Sequence, residues 1–490
     1  MSNNEPLLFV NGLNGSTGSY LQAPILGEQL PDLVQAIRRQ NRPDNEGELR
    51  ERANKIGHAA PKFGVDPTKL EESGWGVIFP AYSSSDAARQ KEVEAIKETL
   101  HPLLDWRNKQ TQGRFEKWVN GEGKGFMVGK DDKRSWLARH GMGTGRPDPK
   151  LVPYYLLIVA SPEDIPFRFQ SELDVMYAVG RLHFDRIEDY AVYAQNVVQT
   201  EGSQAQPNRR IRFFGVSNPG DEFTPRSLDR LITPLSDKLK TDLPKWDVAT
   251  ITGSKASAQA LQALLSQENR PALLFTSSHG MFFQSDDSRQ QTQQGALVCQ
   301  DWPGPNNPVK REHYFAAEDL PSDANLSGLI AFFVACFGAG TPQLNEYSKF
   351  DALYPATALG ANLASRPMLS QLPVQMLCRP KGGALAVVGH VERLWTTSFD
   401  LDPSMKQGQI SAFVDMLSML FAGHPIGSAL DPMNGRYAEL ATELGDKQEQ
   451  LDYSLPVDPQ EFVTTWVANN DARGYMLVGD PAVRLAGTGI

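Results

Sequence analysis

Two short motifs carry the chemistry this sequence offers. Ser278-His279-Gly280 and Ala335-Cys336 each close an apolar run. A thiol becomes a working nucleophile at neutral pH when a neighbouring base or positive charge helps to form the thiolate, and histidine is the usual partner. The two residues lie 336 − 279 = 57 positions apart, which leaves room for one excursion and a crossover helix, so the strands carrying them can be neighbours. Gly280 lets backbone come close to a substrate, and its amide is suited to bind a developing oxyanion. Gly338 and Gly340 permit a tight turn beneath the nucleophile. Taken alone, Cys336 also reads as a buried, inert thiol and His279 as a structural histidine. Their joint occurrence at two strand ends favours chemistry.

The elements that must position this pair are visible as continuous apolar runs at residues 155–160, 211–216, 272–276, 329–335, 384–388 and 475–478. Such runs suit strands buried on both faces. Between them, residues 190–201, 257–266 and 410–421 have helical periodicity. Alternating buried strands and helices predict an α/β fold, a mostly parallel sheet of about six strands with helices on both faces. In such sheets the site lies beyond the carboxyl ends of the strands, where His279, Cys336 and His390 all fall. The first 150 residues show strand-like runs at 7–10 and 76–79 but no motif attached to catalysis. They are read as an N-terminal α/β or regulatory region, with residues 151–490 as the catalytic domain and its core at about 205–400.

His390 is the rival base, because it too follows a buried strand, and it reads more simply as a pocket-lining residue. Cys378 has no apolar strand leading into it and Cys299 sits in a hairpin-like stretch, so both read as structural. No spacing of His, Cys and carboxylates suggests zinc. No cofactor is required on this reading. Calcium is possible at the adjacent acids Asp286 and Asp287, which read equally as solvated acids of a polar loop. The net charge of −10 argues against a nucleic-acid partner, which needs a concentrated basic surface. Three cysteines point to a reducing compartment, and neither a secretory signal nor a membrane-spanning apolar stretch is seen, so the cytoplasm is the expected location.

Leu274-Phe275-Thr276-Ser277-Ser278-His279-Gly280 resembles the His-Gly segment of the caspase-like cysteine peptidases, and Phe333-Val334-Ala335-Cys336-Phe337-Gly338 their Ala-Cys segment. That group includes caspases, legumain, clostripain, separase and the gingipains. The likeness to gingipains extends over most of residues 155–485. It takes in Ala178-Val179-Gly180-Arg181-Leu182, the run Gly383 to Gly389 with Trp395 beyond it, and Gly479-Asp480-Pro481. The resemblance implies a three-layer caspase-like sandwich. It also implies a thioester acyl-enzyme formed on Cys336, His279 protonating the leaving amine, and an oxyanion hole made by the amides of Gly280 and Cys336. For the residue before the cut it suggests arginine or lysine, with a carboxylate at the pocket floor. Asp174 is preferred over Glu172 for that role, with a solvated loop acid as its equal alternative, and Trp395 is read either as a pocket wall stacking on the guanidinium or as a buried core residue. Arg379 and Arg393 keep the caspase-type choice of aspartate open. Protein or peptide substrates and a regulatory protein partner fit this reading. The alternative is a catalytically silent caspase-like scaffold that binds a protein.

Overall fold

The computed structural model describes residues 6–38, 46–53, 61–122, 125–143, 145–203, 208–266, 270–305, 307–354, 359–401 and 408–488. Among them nine strands form one sheet: β1 (Trp75–Ile78), β2 (Tyr155–Val159), β3 (Ala178–Leu182), β4 (Arg210–Gly215), β5 (Asp247–Ile251), β6 (Leu273–Ser277), β7 (Ile330–Val334), β8 (Ala386–His390) and β9 (Tyr475–Gly479). Their order across the sheet is β5-β4-β6-β7-β8-β9-β3-β2-β1. Five strands, β5 to β8 in that order, run parallel; β9 is antiparallel to β8, and β3, β2 and β1 run parallel to β9. The six apolar runs read from the sequence are β2, β4, β6, β7, β8 and β9. β5, β3 and β1 are added to them, β5 and β1 at the two edges, and β1 joins from the chain before residue 150.

The apolar runs lack alternation because both faces of the sheet are covered. Along β2, Tyr155, Leu157 and Val159 point into one core with Leu100, Leu103 and Leu104 of helix α1 (Ala87–Gln110) and Tyr193 and Val197 of α2 (Ile187–Glu201). Leu156 and Ile158 point into the other, with Trp136 and with Tyr437 and Ala438 of α3 (Asp431–Asp452). The α/β sandwich expected from the sequence is thus present, with three more strands than expected.

The core between α1, α2 and the end of β9 contains an ion cluster. Arg107, fully buried, donates from Nε to Asp480 Oδ2 at 2.8 Å and from its terminal nitrogens to Glu201 at 2.7 and 2.9 Å, while Trp75 Nε1 donates to Asp480 Oδ1 at 2.9 Å. Removing one member of such a set leaves the others charged and uncompensated. Arg107→Ala is therefore expected to lower stability by about 3–5 kcal/mol, read as a drop in the urea midpoint. A loss below about 1 kcal/mol would show that the two acids find other partners.

A small second sheet lies against the edge where β6 and β7 end. Its strands are Tyr314–Phe315, Leu297–Val298, Gly280–Phe282 and Gly12–Asn14, in that order. The last pair is parallel, Gly280 opposite Gly12 and Phe282 opposite Asn14, so the N-terminal segment is bound directly beside His279. Among the described residues no helix is long and apolar enough to cross a membrane.

Candidate active site

Register brings the histidine and the cysteine together. β6 and β7 are adjacent and parallel, with Ser277 opposite Val334. His279 and Cys336 each lie two residues further on, at the same edge of neighbouring strands. Ser278 N donates to Val334 O at 3.2 Å across the gap. Beyond this point the two loops touch: a Cβ on Gly280 would stand 1.9 Å from Cys336 O, so only glycine fits after the histidine. The approach that needs this glycine is thus made by the cysteine's own backbone. Just after Cys336 the left-handed residue is Phe337, with φ of 57°, and not Gly338 or Gly340 as the sequence suggested. Its amide donates to Glu392 O at 2.7 Å, which fixes the turn after Cys336.

A third strand end supplies what the sequence reading missed. β4 lies beside β6, with Gly215 opposite Ser277, and the loop after it carries Asp221. The Asp221 Oδ1 is 3.0 Å from His279 Nε2, and both side chains are fully buried. Asp221 also accepts from Tyr20 Oη at 2.6 Å, from Thr224 N at 2.8 Å and from the Thr224 hydroxyl. Burial acts to raise its pKa, but the charge and hydrogen bond of His279 and the bonds from Thr224 and Tyr20 outweigh this and hold the carboxyl well below its ordinary value. The other imidazole nitrogen, His279 Nδ1, is buried with no partner among the described residues. The ring is enclosed by Tyr20, Phe223 and Trp302, with centroids 5.7–5.8 Å away.

The Cys336 thiol is fully buried, and burial pushes its pKa well above the ordinary thiol value. Its sulfur accepts from Leu394 N at 3.1 Å, from the loop that follows β8. In this state it is a neutral thiol closed to solvent.

The closure is made by the N-terminal segment. Phe9 and Val10 run antiparallel to residues 394–396: Thr396 N donates to Phe9 O at 2.9 Å, Val10 bridges Trp395, and Asn11 N donates to Leu394 O at 2.7 Å. The Asn11 carbonyl oxygen then accepts from both Gly280 N and Cys336 N, at 3.2 Å each. Two amides from two loops converge on one carbonyl, in the arrangement that binds a carbonyl oxygen as it gains charge. Asn11 Nδ2 donates to Val334 O at 2.9 Å.

The remaining candidates lie elsewhere. Trp395 is fully buried beside this segment, its ring against Tyr347 and Phe350, and its contribution to the cleft is the backbone bridge to Val10. His390 ends β8 with Nε2 2.8 Å from Asp471 O and Nδ1 3.3 Å from Glu392 O; both nitrogens face backbone carbonyls and neither meets Cys336. Asp174 accepts from Val179 N at 2.9 Å at the start of β3, separated from β7 by β8 and β9. Glu172 pairs with Arg168 on the same helix, at 2.6 Å. Arg393 is fully buried against Asp351 at 2.6 Å, so it does not face the cleft as a free cation. Cys299 and Cys378 are buried free thiols. Asp287 is paired with Arg289 at 2.6 Å, and among the described residues no group of three or more His, Cys, Asp or Glu is placed to hold a metal ion.

A sandwich built on a mostly parallel sheet, with a histidine and a cysteine closing adjacent central strands, sets the class of fold. Among solved structures the chain is similar to the Arg-specific cysteine proteinase gingipain R, RgpB, at 10% identity and a TM-score of 0.43, covering 85% of this chain and 78% of that one. It is also similar to the complex of Porphyromonas gingivalis RgpB pro- and mature domains, at 11% and 0.46, covering 84% and 79%. A third likeness is to the Saccharomyces cerevisiae separase–securin complex, at 10% and 0.31, covering 67% of this chain and 16% of that one. No protein-family model and no curated protein matches the chain. At TM-scores below 0.5, the functional reading rests on the geometry of the site itself.

Proposed function

We propose that the chain is a cysteine endopeptidase acting on protein or peptide substrates. The observation that carries this reading is the convergence of Gly280 N and Cys336 N on a single carbonyl oxygen. An inert buried cysteine has no use for a second amide aimed beside its own. In this reading Cys336 attacks the carbonyl carbon bound there, His279 takes the thiol proton and gives it to the leaving amine, and Asp221 holds the imidazole through Nε2 so that Nδ1 does the transfer. The extended chain before the cut is held by the backbone of residues 394–396, as a strand added to an edge.

The preference for arginine or lysine before the cut belongs to this proposal as its finer form, and it requires a carboxylate free to meet the cation. Asp174 is engaged at the start of β3, and Asp221 is engaged by His279, Tyr20 and Thr224. Peptidyl acyloxymethyl ketones ending in arginine, lysine, aspartate or asparagine test both levels. Label on Cys336, located by peptide mass spectrometry and absent in His279→Ala, supports the peptidase. Fastest labelling by the basic ketones supports the finer form, and fastest labelling by the asparaginyl or aspartyl ketone overturns it and leaves the peptidase standing. A chain that takes no label at Cys336 from any of them is not a peptidase of this kind.

A further inference from the structure

We propose that the bond between Asn11 and Gly12 is the chain's own first substrate, cut by Cys336 of the same molecule to open the cleft. This rests on the peptidase reading above and goes beyond it by naming a cleavage site and the residue that the pocket accepts before the cut.

Four observations bear on that one bond. The main chain before it is held in the manner of a bound substrate, Phe9 and Asn11 bonded to Thr396 and Leu394 in antiparallel register. Its carbonyl oxygen takes both converging amides. The residue after it is at the sulfur: a Cβ added to Gly12 would stand 2.9 Å from Cys336 Sγ and 2.4 Å from Leu21 Cδ1, so glycine alone fits there. And the side chain before it is fully buried, its amide nitrogen donating to Val334 O at 2.9 Å. A segment that served only as packing would satisfy one or two of these; together they describe a peptide bond seated for attack.

The surroundings say what the cut would change. With the segment in place, His279 and Cys336 have no exposure, so an external chain cannot reach them. The stretch ending at Asn11 is held by its bonds to residues 394–396 and by the short pairing of Pro6–Leu8 with Ile25–Leu26. Beyond the bond, Gly12–Asn14 is tied to Gly280–Phe282, and Tyr20 to Asp221. Cleavage separates the two halves and leaves the first free to depart. In the reaction the Cys336 Sγ–carbon bond forms as the bond from Asn11 carbon to Gly12 nitrogen breaks, and the thiol proton passes through His279 to the Gly12 amine. Water then adds its hydroxyl to the Asn11 carbonyl carbon, and its proton returns to the thiolate as the thioester opens. The chain is thereby latent until cut, and the emptied pocket takes asparagine from other substrates.

The test uses the full chain, kept reduced and followed by intact mass and N-terminal sequencing. A new terminus at Gly12 is expected in the wild type, with none in Cys336→Ala or Cys336→Ser. Asn11→Ala is expected to slow its appearance by about a hundredfold, as loss of a built hydrogen bond at the discriminating residue does. The cut chain is expected to hydrolyse a fluorogenic Phe-Val-Asn peptide well ahead of the arginyl equivalent. Appearance of the Gly12 terminus in Cys336→Ala overturns the inference, because the cut is then not made by this thiol. A wild-type chain that stays whole at Asn11 while hydrolysing peptides through Cys336 overturns it and leaves the peptidase standing. A chain that neither cuts itself, nor cuts any peptide, nor takes a ketone at Cys336 sinks both.

Discussion

Cys336→Ala is expected to reduce peptide hydrolysis by roughly a thousandfold or more while the protein stays folded, and His279→Ala to do the same. For the cysteine the two readouts separate cleanly. The substitution removes the proposed nucleophile, whereas the structural loss is the two hydrogen bonds between the sulfur and Leu394, accepted from N at 3.1 Å and donated to O at 3.6 Å, each worth about 1 kcal/mol or less. Activity should therefore vanish with the unfolding midpoint nearly unchanged. His279 differs, because its removal leaves Asp221 buried beside an empty space lined by Tyr20, Phe223 and Trp302, so His279→Ala should lose stability as well as activity. Fluorogenic peptide turnover beside a urea titration reads both. The assignment is wrong if Cys336→Ala keeps ordinary turnover while Cys378→Ala or His390→Ala loses it. The structure sets that contrast up: His390 is held between two backbone carbonyls, and Cys378 lies just past the helix Gln371–Leu377.

What the sequence reveals of this site is what strand ends reveal. Apolar runs closing in Ser-Ser-His-Gly and Ala-Cys mark two adjacent parallel strands, and parallel register then fixes that His279 and Cys336 emerge side by side. Asp221 obeys the same rule, since it lies in the loop after the run 211–216. It stands five residues past that run, behind Asn218-Pro219-Gly220 and next to Glu222, and an acid in such a loop carries no pattern that separates it from solvated ones. The sheet is wider than the apolar runs suggest for a related reason: β5 is only partly buried and carries no apolar run, and only its pairing with β2 shows that the four-residue β1 extends the same sheet. The N-terminal segment was the least legible. Phe9-Val10-Asn11-Gly12 reads as an apolar run with a turn signal. Its position against residues 394–396 and 280–282 depends on contacts nearly the whole chain away, for which local propensity has no signal. Asp174 shows the converse case. Proximity in sequence to Gly180-Arg181 put it near the expected pocket, yet its carboxylate is used to cap the amide of Val179.

Asp221→Asn is the substitution that tests how the imidazole is held, and it is expected to lower kcat by about a hundredfold to ten-thousandfold with KM little changed. The carboxylate touches the ring and not the substrate carbonyl: Oδ1 meets His279 Nε2 at 3.0 Å, while the Asn11 carbonyl is bound by the amides of residues 280 and 336. An asparagine in its place keeps the size of the side chain but removes the charge that stabilises the imidazolium, and it can present its NH₂ group to Nε2 and reverse the tautomer. Binding of an extended peptide, set by residues 394–396, should survive. Stability supplies an independent readout. Asp221 is depressed below its ordinary value in the folded chain, so its contribution is fully present above the unfolded carboxylate pKa and is lost as the pH falls through the lower folded value. The wild type should therefore lose stability between about pH 4 and pH 2 more steeply than Asp221→Asn, whose acid limb lacks this group. Unfolding midpoints measured at pH 7 and pH 3 for both proteins, beside kcat and KM at neutral pH, decide the matter. An Asp221→Asn protein with wild-type kcat would show that His279 is oriented by its aromatic enclosure alone, and that the carboxylate at the end of β4 contributes to folding and not to turnover.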